Sequence, residues 1–240
     1  MPSVEAPAPA YRDFYQVNRG GGMFSEAFSQ RIGAGIALAS ARLGIKPTTL
    51  TLLNLVIGVA ASATVVVLAP RAAAAVLPMW AIGLGALIAW QVAYAIDCAD
   101  GQLARVTGQT SPAGARVDVL VDIAVQIALV TALAAVGVAY RPETPAWLVT
   151  VFASTWMVNL VTSVMQSGDS ASSLITRSTL PVRVIKLIRD YGAVVLGCGL
   201  VLTVVPQLTY WLMVAVSLVN GLFLLASIGH SARKALSGSG

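Results

Sequence analysis

Four aspartates crowd one stretch of an otherwise apolar chain: Asp97, Asp100, Asp118 and Asp122 fall within 26 residues of a 240-residue sequence that has only ten acids. A carboxylate near the centre of a membrane helix costs about 2.5 to 3.5 kcal/mol, so such groups face a bundle interior and mark function. Four together also repel one another. Cations relieve that repulsion, and two divalent ions would set +4 against −4. The candidate ligands are hard oxygens with no histidine nearby, which favours Mg²⁺ or Mn²⁺ over Zn²⁺. At 100° per residue, Asp97, Asp100, Gly101 and Ala104 share one side of a helix, with Arg105 at its border. Gly114, Asp118 and Asp122 follow at four-residue steps on the next helix, after a loop holding Gly108 and Pro112. Gly101 and Gly114 lack a Cβ, so a bulky phosphate-bearing ligand can approach the backbone beside the ions. The plainer alternative is a buried ion-pair network with Arg105 and Arg116, but two arginines cannot balance four aspartates.

Elements that could hold such a cluster follow from composition. Hydrophobic residues make up 57% of the chain, charged residues only 10%, and mean hydropathy is +0.81. A typical soluble domain carries roughly 25% charged residues, so this surface suits a bilayer and not water. Disorder is excluded as well, since it needs low hydrophobicity. A bilayer-spanning helix needs roughly 20 apolar residues, and the charge-free gaps supply them. There are 24 residues between Lys46 and Arg71, 25 between Arg71 and Asp97, 18 between Asp122 and Arg141, and 25 between Glu143 and Asp169. The 42 residues between Asp190 and Arg233, interrupted by Pro206-Gln207, fit a helical hairpin. The expectation is an all-α integral membrane protein with six transmembrane helices near 48–68, 74–96, 116–139, 146–167, 186–205 and 208–229.

An even number of spans places both termini on one side, and the lysine and arginine bias selects the cytoplasm. In that orientation 13 of the 15 basic residues are inside, leaving Arg71 and Arg141 outside. The net charge of +5 then serves topology and anionic lipid headgroups, and no nucleic-acid partner is expected. Residues 1–46 read as a cytoplasmic tail and an interfacial amphipathic helix, 47–232 as the transmembrane catalytic domain, and 233–240 as a C-terminal tail. Phe24, Phe28 and Ile32 recur at four-residue spacing beside Arg31 and Arg42, which fits a helix in the cytoplasmic interface or one packed on the bundle. MPSVEAPAPA at the start has no apolar core, so no cleavable signal peptide is expected. Cys98 and Cys198 each lie in an apolar stretch and read as packed free thiols. Gln91, Gln126 and Asn159 are candidates for hydrogen bonds between helices.

The series Asp97-Cys-Ala-Asp100-Gly101-x-x-Ala104-Arg105, then Gly114-x-x-x-Asp118-x-x-x-Asp122, resembles the CDP-alcohol phosphotransferase signature. All eight signature positions match, and six spans agree with that family's fold. The resemblance implies transfer of a substituted phosphate from a CDP-linked donor to an alcohol, with release of CMP. It implies that Asp97, Asp100 and Asp118 hold two ions, Asp118 being shared. Asp122 would complete the second ion site and act as general base, while Gly101, Ala104, Arg105 and Gly114 would line the nucleotide pocket. Lys46-Pro47-Thr48-Thr49-Leu50-Thr51 is similar to the Pro-Asn-x-x-Thr segment of many members. Thr48 and Thr51 are therefore nucleotide-pocket candidates, with Thr48 standing where asparagine is usual.

Arg183 and Lys186 follow one helical face with Asp190, and Arg189 adjoins them. Together with Arg116 they are candidates for binding a phosphorylated acceptor; the alternative is that they are positive-inside anchors. The best-fitting substrates are CDP-diacylglycerol or a similar lipid and a small polar, phosphorylated alcohol. A soluble CDP-alcohol donor, an aspartate-rich intramembrane prenyltransferase and an ion carrier remain as alternatives. The resemblance also implies a homodimer in the cell membrane, with the active site facing the cytoplasm.

Overall fold

The structure is a computed structural model that describes residues 9–17, 22–168 and 190–237. Among the described residues every regular element is a helix: α1 (Tyr11–Gln16), α2 (Met23–Ala27), α3 (Ser29–Arg42), α4 (Pro47–Ala73), α5 (Met79–Val106), α6 (Pro112–Tyr140), α7 (Ala146–Gly168), α8 (Tyr191–Val204) and α9 (Thr209–Ser237), with a 3₁₀ turn at Pro206–Leu208 before α9. Four segments are long and apolar enough to cross a membrane: Pro47–Ala73, Met79–Val106, Pro112–Tyr140 and Pro206–Arg233. Ala146–Val158 and Tyr191–Val204 are shorter apolar stretches. The sequence predicts six spans, and four meet the length criterion among the described residues.

Helix boundaries follow local chemistry. α5 does not stop where charge begins at Asp97; it continues to Val106, because the polar run 97–105 stays helical. Gly108 at φ +67 then closes it, with the Gln109 N–H bonded to the Ala104 carbonyl at 2.9 Å. Ser111 caps the next helix. Its Oγ accepts the Gly114 N–H at 3.0 Å, and Pro112 takes the first helical position, where no N–H is needed. This short connection turns the chain back, so that α6 presents its aspartate stripe to α5.

The chain divides into two compact units, Met1–Ala61 with Gly85–Val125 and Arg177–Gly199, and Ser62–Leu84 with Gln126–Thr176 and Leu200–Gly240. In the first, Phe14, Ala34, Ala37, Leu50, Ile96, Ala99 and Leu103 form a buried core. Small residues let α3 lie close on α5: a Cβ on Gly33 would meet the Ala95 carbonyl and Cys98 Cβ at 3.0 Å. Gly58 of α4 likewise sits on Val125 of α6. In the second unit α9 packs on α7, and Gly83 lies so near the Leu202–Thr203 backbone that a Cβ would come to 2.7 Å. Cys98 and Cys198 are buried free thiols.

The N-terminal residues depart from the spacing argument. Phe24 and Phe28 stack at 5.7 Å, but they do not share one continuous helix with Ile32. The backbone breaks at Phe28 (φ −122, ψ −71) between α2 and α3. α3 buries Ser29, Gln30, Gly33, Ala34, Ala37 and Ser40 and leaves Ile32, Arg31 and Arg42 exposed.

Candidate active site

Asp97 and Asp100 occupy the last third of α5, and Asp118 and Asp122 the first half of α6. One carboxylate oxygen from each of Asp97, Asp100 and Asp118 lies within 4.8 Å of the other two. Asp122 stands outside that trio but within hydrogen-bonding reach of Asp97. Two carboxyl groups that close together need a proton or a cation between them. Asp100 is buried, while Asp97, Asp118 and Asp122 are half-buried.

Two side chains of α4 orient the α5 acids. Thr51 Oγ1 donates to Asp100 Oδ2 at 2.6 Å, and Asn54 Nδ2 donates to Asp97 Oδ1 at 3.0 Å. Thr51 and Asn54 are themselves buried, three residues apart and therefore on one face of α4. Each hydrogen bond ties down one carboxylate oxygen, Oδ2 of Asp100 and Oδ1 of Asp97. Neutral donors that hold a carboxylate from behind in this way fix its orientation toward a metal. The donor set is thus a cluster of hard oxygens, buried on one side and restrained by neutral donors, and it fits a divalent cation such as Mg²⁺ or Mn²⁺.

Around the acids, the space beside Gly101 is filled by Arg105: a Cβ there would come within 2.8 Å of Arg105 Nη2. The arginine also lies within electrostatic range of Asp118. Ala104 is half-buried, and the nearest group to a Cβ on Gly114 would be Ser111 Oγ at 3.1 Å.

The match to known proteins rests on the same helices. The family model described as CDP-alcohol phosphatidyltransferase matches residues 45–221, most of the chain and all four aspartates. The chain belongs to the CDP-alcohol phosphatidyltransferase family. No curated protein matches it. As a family member, it is a transferase of the membrane that handles a CDP-alcohol and an alcohol acceptor.

Of the site residues read from the sequence, Asp97, Asp100 and Asp118 converge, with Asp122, Gly101 and Arg105 close by. Thr51 meets the site through Asp100, whereas Thr48 and Arg116 are exposed. Arg183, Lys186 and Arg189 lie outside the described residues. Sequence reasoning missed Asn54, whose signal was available: an amide in a charge-free span, one helical turn after Thr51. Gln91 donates to the Gly192 carbonyl at 2.9 Å, and Gln126 accepts from Trp156 Nε1 at 2.9 Å, so both bond between helices. The side chain of Asn159 is not among those described.

Proposed function

We propose that the protein transfers a substituted phosphate from a lipid CDP donor, CDP-diacylglycerol or a close analogue, to the hydroxyl of a small polar, phosphorylated alcohol, releasing CMP. The observation that carries the reading is the trio of carboxylate oxygens within 4.8 Å, each α5 member restrained by a neutral donor of α4. Asp97, Asp100, Asp118 and Asp122 would hold two divalent ions, Mg²⁺ or Mn²⁺, with Asp118 shared. Bound there, paired cations supply charge neutralisation for the diphosphate and a clamp on the oxygens of an in-line displacement.

The protein's own groups do the rest. Arg105, folded over Gly101, faces the donor diphosphate with a guanidinium fork suited to phosphate. Gly101, Ala104 and Gly114, with Thr48 and Thr51 on α4, border the nucleotide. Asp122 receives the proton of the acceptor hydroxyl on a carboxylate oxygen. The hydroxyl oxygen forms a bond to the distal phosphorus as that phosphorus's bond to the bridging oxygen breaks, and the CMP phosphate departs with the bridging electrons. General-base work of this kind depends on hydrogen-bond reach before pKa.

Six spans, cytoplasmic termini, an interfacial N-terminal helix and a homodimer in the cell membrane complete the reading. Outward-facing Met23, Phe28, Ile32 and Leu43 beside Arg31 and Arg42 support contact with an anionic lipid surface.

The test is CMP release from CDP-diacylglycerol by purified protein in detergent, with Mg²⁺ or Mn²⁺. The acceptor panel is inositol phosphate, glycerol phosphate, inositol, glycerol and serine, run alongside Asp122→Asn. Acceptor-dependent CMP that disappears in the variant supports the reading. CMP formed only from soluble CDP-alcohols rejects the lipid donor, and no CMP from any CDP compound rejects the chemistry.

A further inference from the structure

Asp190 is the residue just before α8, and its carboxylate is fully buried. Its backbone carbonyl begins α8 by accepting the Val194 N–H at 3.0 Å. An aspartate at such a position ordinarily turns its side chain onto its own helix. This one instead reaches the N-terminal residues 165 positions earlier in the chain. Oδ2 accepts the N–H groups of Phe24 (2.7 Å) and Ser25 (2.9 Å), and Oδ1 accepts the Ser25 hydroxyl. Gly22 is required beside it: φ is +154, and a Cβ would sit 2.4 Å from Oδ2.

The network continues to α5, the helix that carries Asp97 and Asp100. Ser25 Oγ lies 2.9 Å from the Tyr94 hydroxyl, and Tyr94 stands one turn before Asp97 on α5. The Tyr94 ring meets Tyr191 edge-on at 5.0 Å and 77°. Tyr94 and Tyr191 are both within electrostatic range of Asp97, and Tyr191 also of Asp122. No slack exists at this joint: a Cβ on Gly192 would meet Tyr94 Cε1 at 2.9 Å, Phe24 Cδ1 at 3.0 Å and Ser25 Oγ at 3.0 Å. A buried carboxylate is costly unless fully hydrogen-bonded, and here three donors from one short segment satisfy it. That expense is difficult to account for as packing alone, since a neutral residue would join the segments more cheaply.

We propose that Asp190 is a positioning residue for the transfer reaction: through Ser25 it holds Tyr94 and Tyr191 as a closed aromatic wall beside Asp97 and Asp122, keeping water from competing with the alcohol acceptor. The proposal rests on the transferase reading above. A site that excludes water suppresses hydrolysis of its activated donor. Loosening the wall lets water take the place of the hydroxyl, forming the same oxygen–phosphorus bond and releasing the same CMP, with the free phosphomonoester as second product.

The experiment compares wild type with Asp190→Asn, Ser25→Ala and Tyr94→Phe, each judged per folded, monodisperse molecule. It measures CMP released with and without acceptor, together with trypsin cleavage after Arg31 as a readout of N-terminal docking. Asp190→Asn should raise the acceptor-independent share of CMP by about fivefold or more, with the donor KM within about twofold of wild type. Ser25→Ala and Tyr94→Phe should move the share the same way by less, and cleavage should rise in the first two variants. They also keep the test available if Asp190→Asn does not fold. A partition unchanged in every folded variant, even with faster cleavage, makes the network a structural tie and overturns the positioning role alone. A wild type that releases no CMP from any CDP donor overturns the reading beneath it, and the role with it.

Discussion

At the scale of single residues, Thr51 and Asn54 set the orientation of the acids proposed as ligands. Thr51 holds one oxygen of Asp100 at 2.6 Å and Asn54 one oxygen of Asp97 at 3.0 Å, so each fixes how its carboxylate is turned. Thr51→Val keeps the shape of the side chain and removes the donor. It should weaken metal affinity about 10- to 100-fold, the range for losing a hydrogen-bond partner of a metal ligand. Direct Mn²⁺ binding to purified protein and the Mn²⁺ dependence of CMP release both check this, and an unchanged affinity would separate Thr51 from the ion site. Gly101→Ala probes the opposite face. Its Cβ would displace Arg105, and the donor KM should rise by about tenfold if that guanidinium serves the diphosphate. The pairing of Asp97 with Asp100 on one face of α5, and of Asp118 with Asp122 on one face of α6, was legible because helical period puts acids three or four apart on one side, and the short connection between the two helices lets those faces oppose each other. The roles of Thr51 and Asn54 as orienting donors were not, because their partners lie 49 and 43 residues away. The link from Asp190 to Ser25 was still less legible, since no local rule connects residues 165 apart.

Among the elements, charge-free gaps located the helices well but not their ends. The expected second span stopped at residue 96, whereas α5 runs on through Asp97, Asp100 and Arg105 to Val106. Helical hydrogen bonding tolerates the polar face because the acids point toward α4 and α6 partners instead of lipid. The break at Phe28 escaped the four-residue spacing argument because periodicity carries no information on a single non-helical φ/ψ pair. Helix ends obey chemistry that can be tested. α3 closes with Gly44 at φ +67 and the Ile45 N–H on the Ser40 carbonyl at 2.9 Å. α4 closes in the same way, the Val76 N–H bonding the Arg71 carbonyl at 2.9 Å and the Ala75 N–H the Ala72 carbonyl at 3.0 Å, but with Ala75 at φ +57 where glycine is the usual residue. Left-handed backbone costs a non-glycine residue roughly 1 kcal/mol, so Ala75→Gly should stabilise the protein by up to about that amount. Ser111→Ala should destabilise it by about 1 kcal/mol by removing the α6 cap. Thermal unfolding in detergent reads both, and a destabilised Ala75→Gly would reject the strain argument.

For the whole molecule, the distribution of cations and tryptophans makes one claim about orientation. In the proposed six-span arrangement, thirteen of 15 basic residues fall on one side. Trp80, Trp147 and Trp211 are exposed near the starts of α5, α7 and α9, ends that the same bias assigns to the outer face. Tryptophan prefers the membrane interface, where its ring meets headgroups. Arg141, one of the two cations that this proposal puts outside, lies over the Tyr210 ring at 4.1 Å and pairs with Glu143 at 2.9 Å, an arrangement suited to an interface and not to the bilayer centre. Both native cysteines are buried, so an introduced surface cysteine reports its own side of the membrane. In intact cells, a membrane-impermeant maleimide should label Glu143→Cys at once, because that side chain is 69% exposed. Gln109→Cys, on the exposed connection beside the acidic motif, should react only after permeabilisation. The reverse pattern would put the aspartates on the outer face. A charged diphosphate does not cross an apolar bilayer unaided, so an outward-facing site would be cut off from a donor held inside, and the proposed orientation would fail.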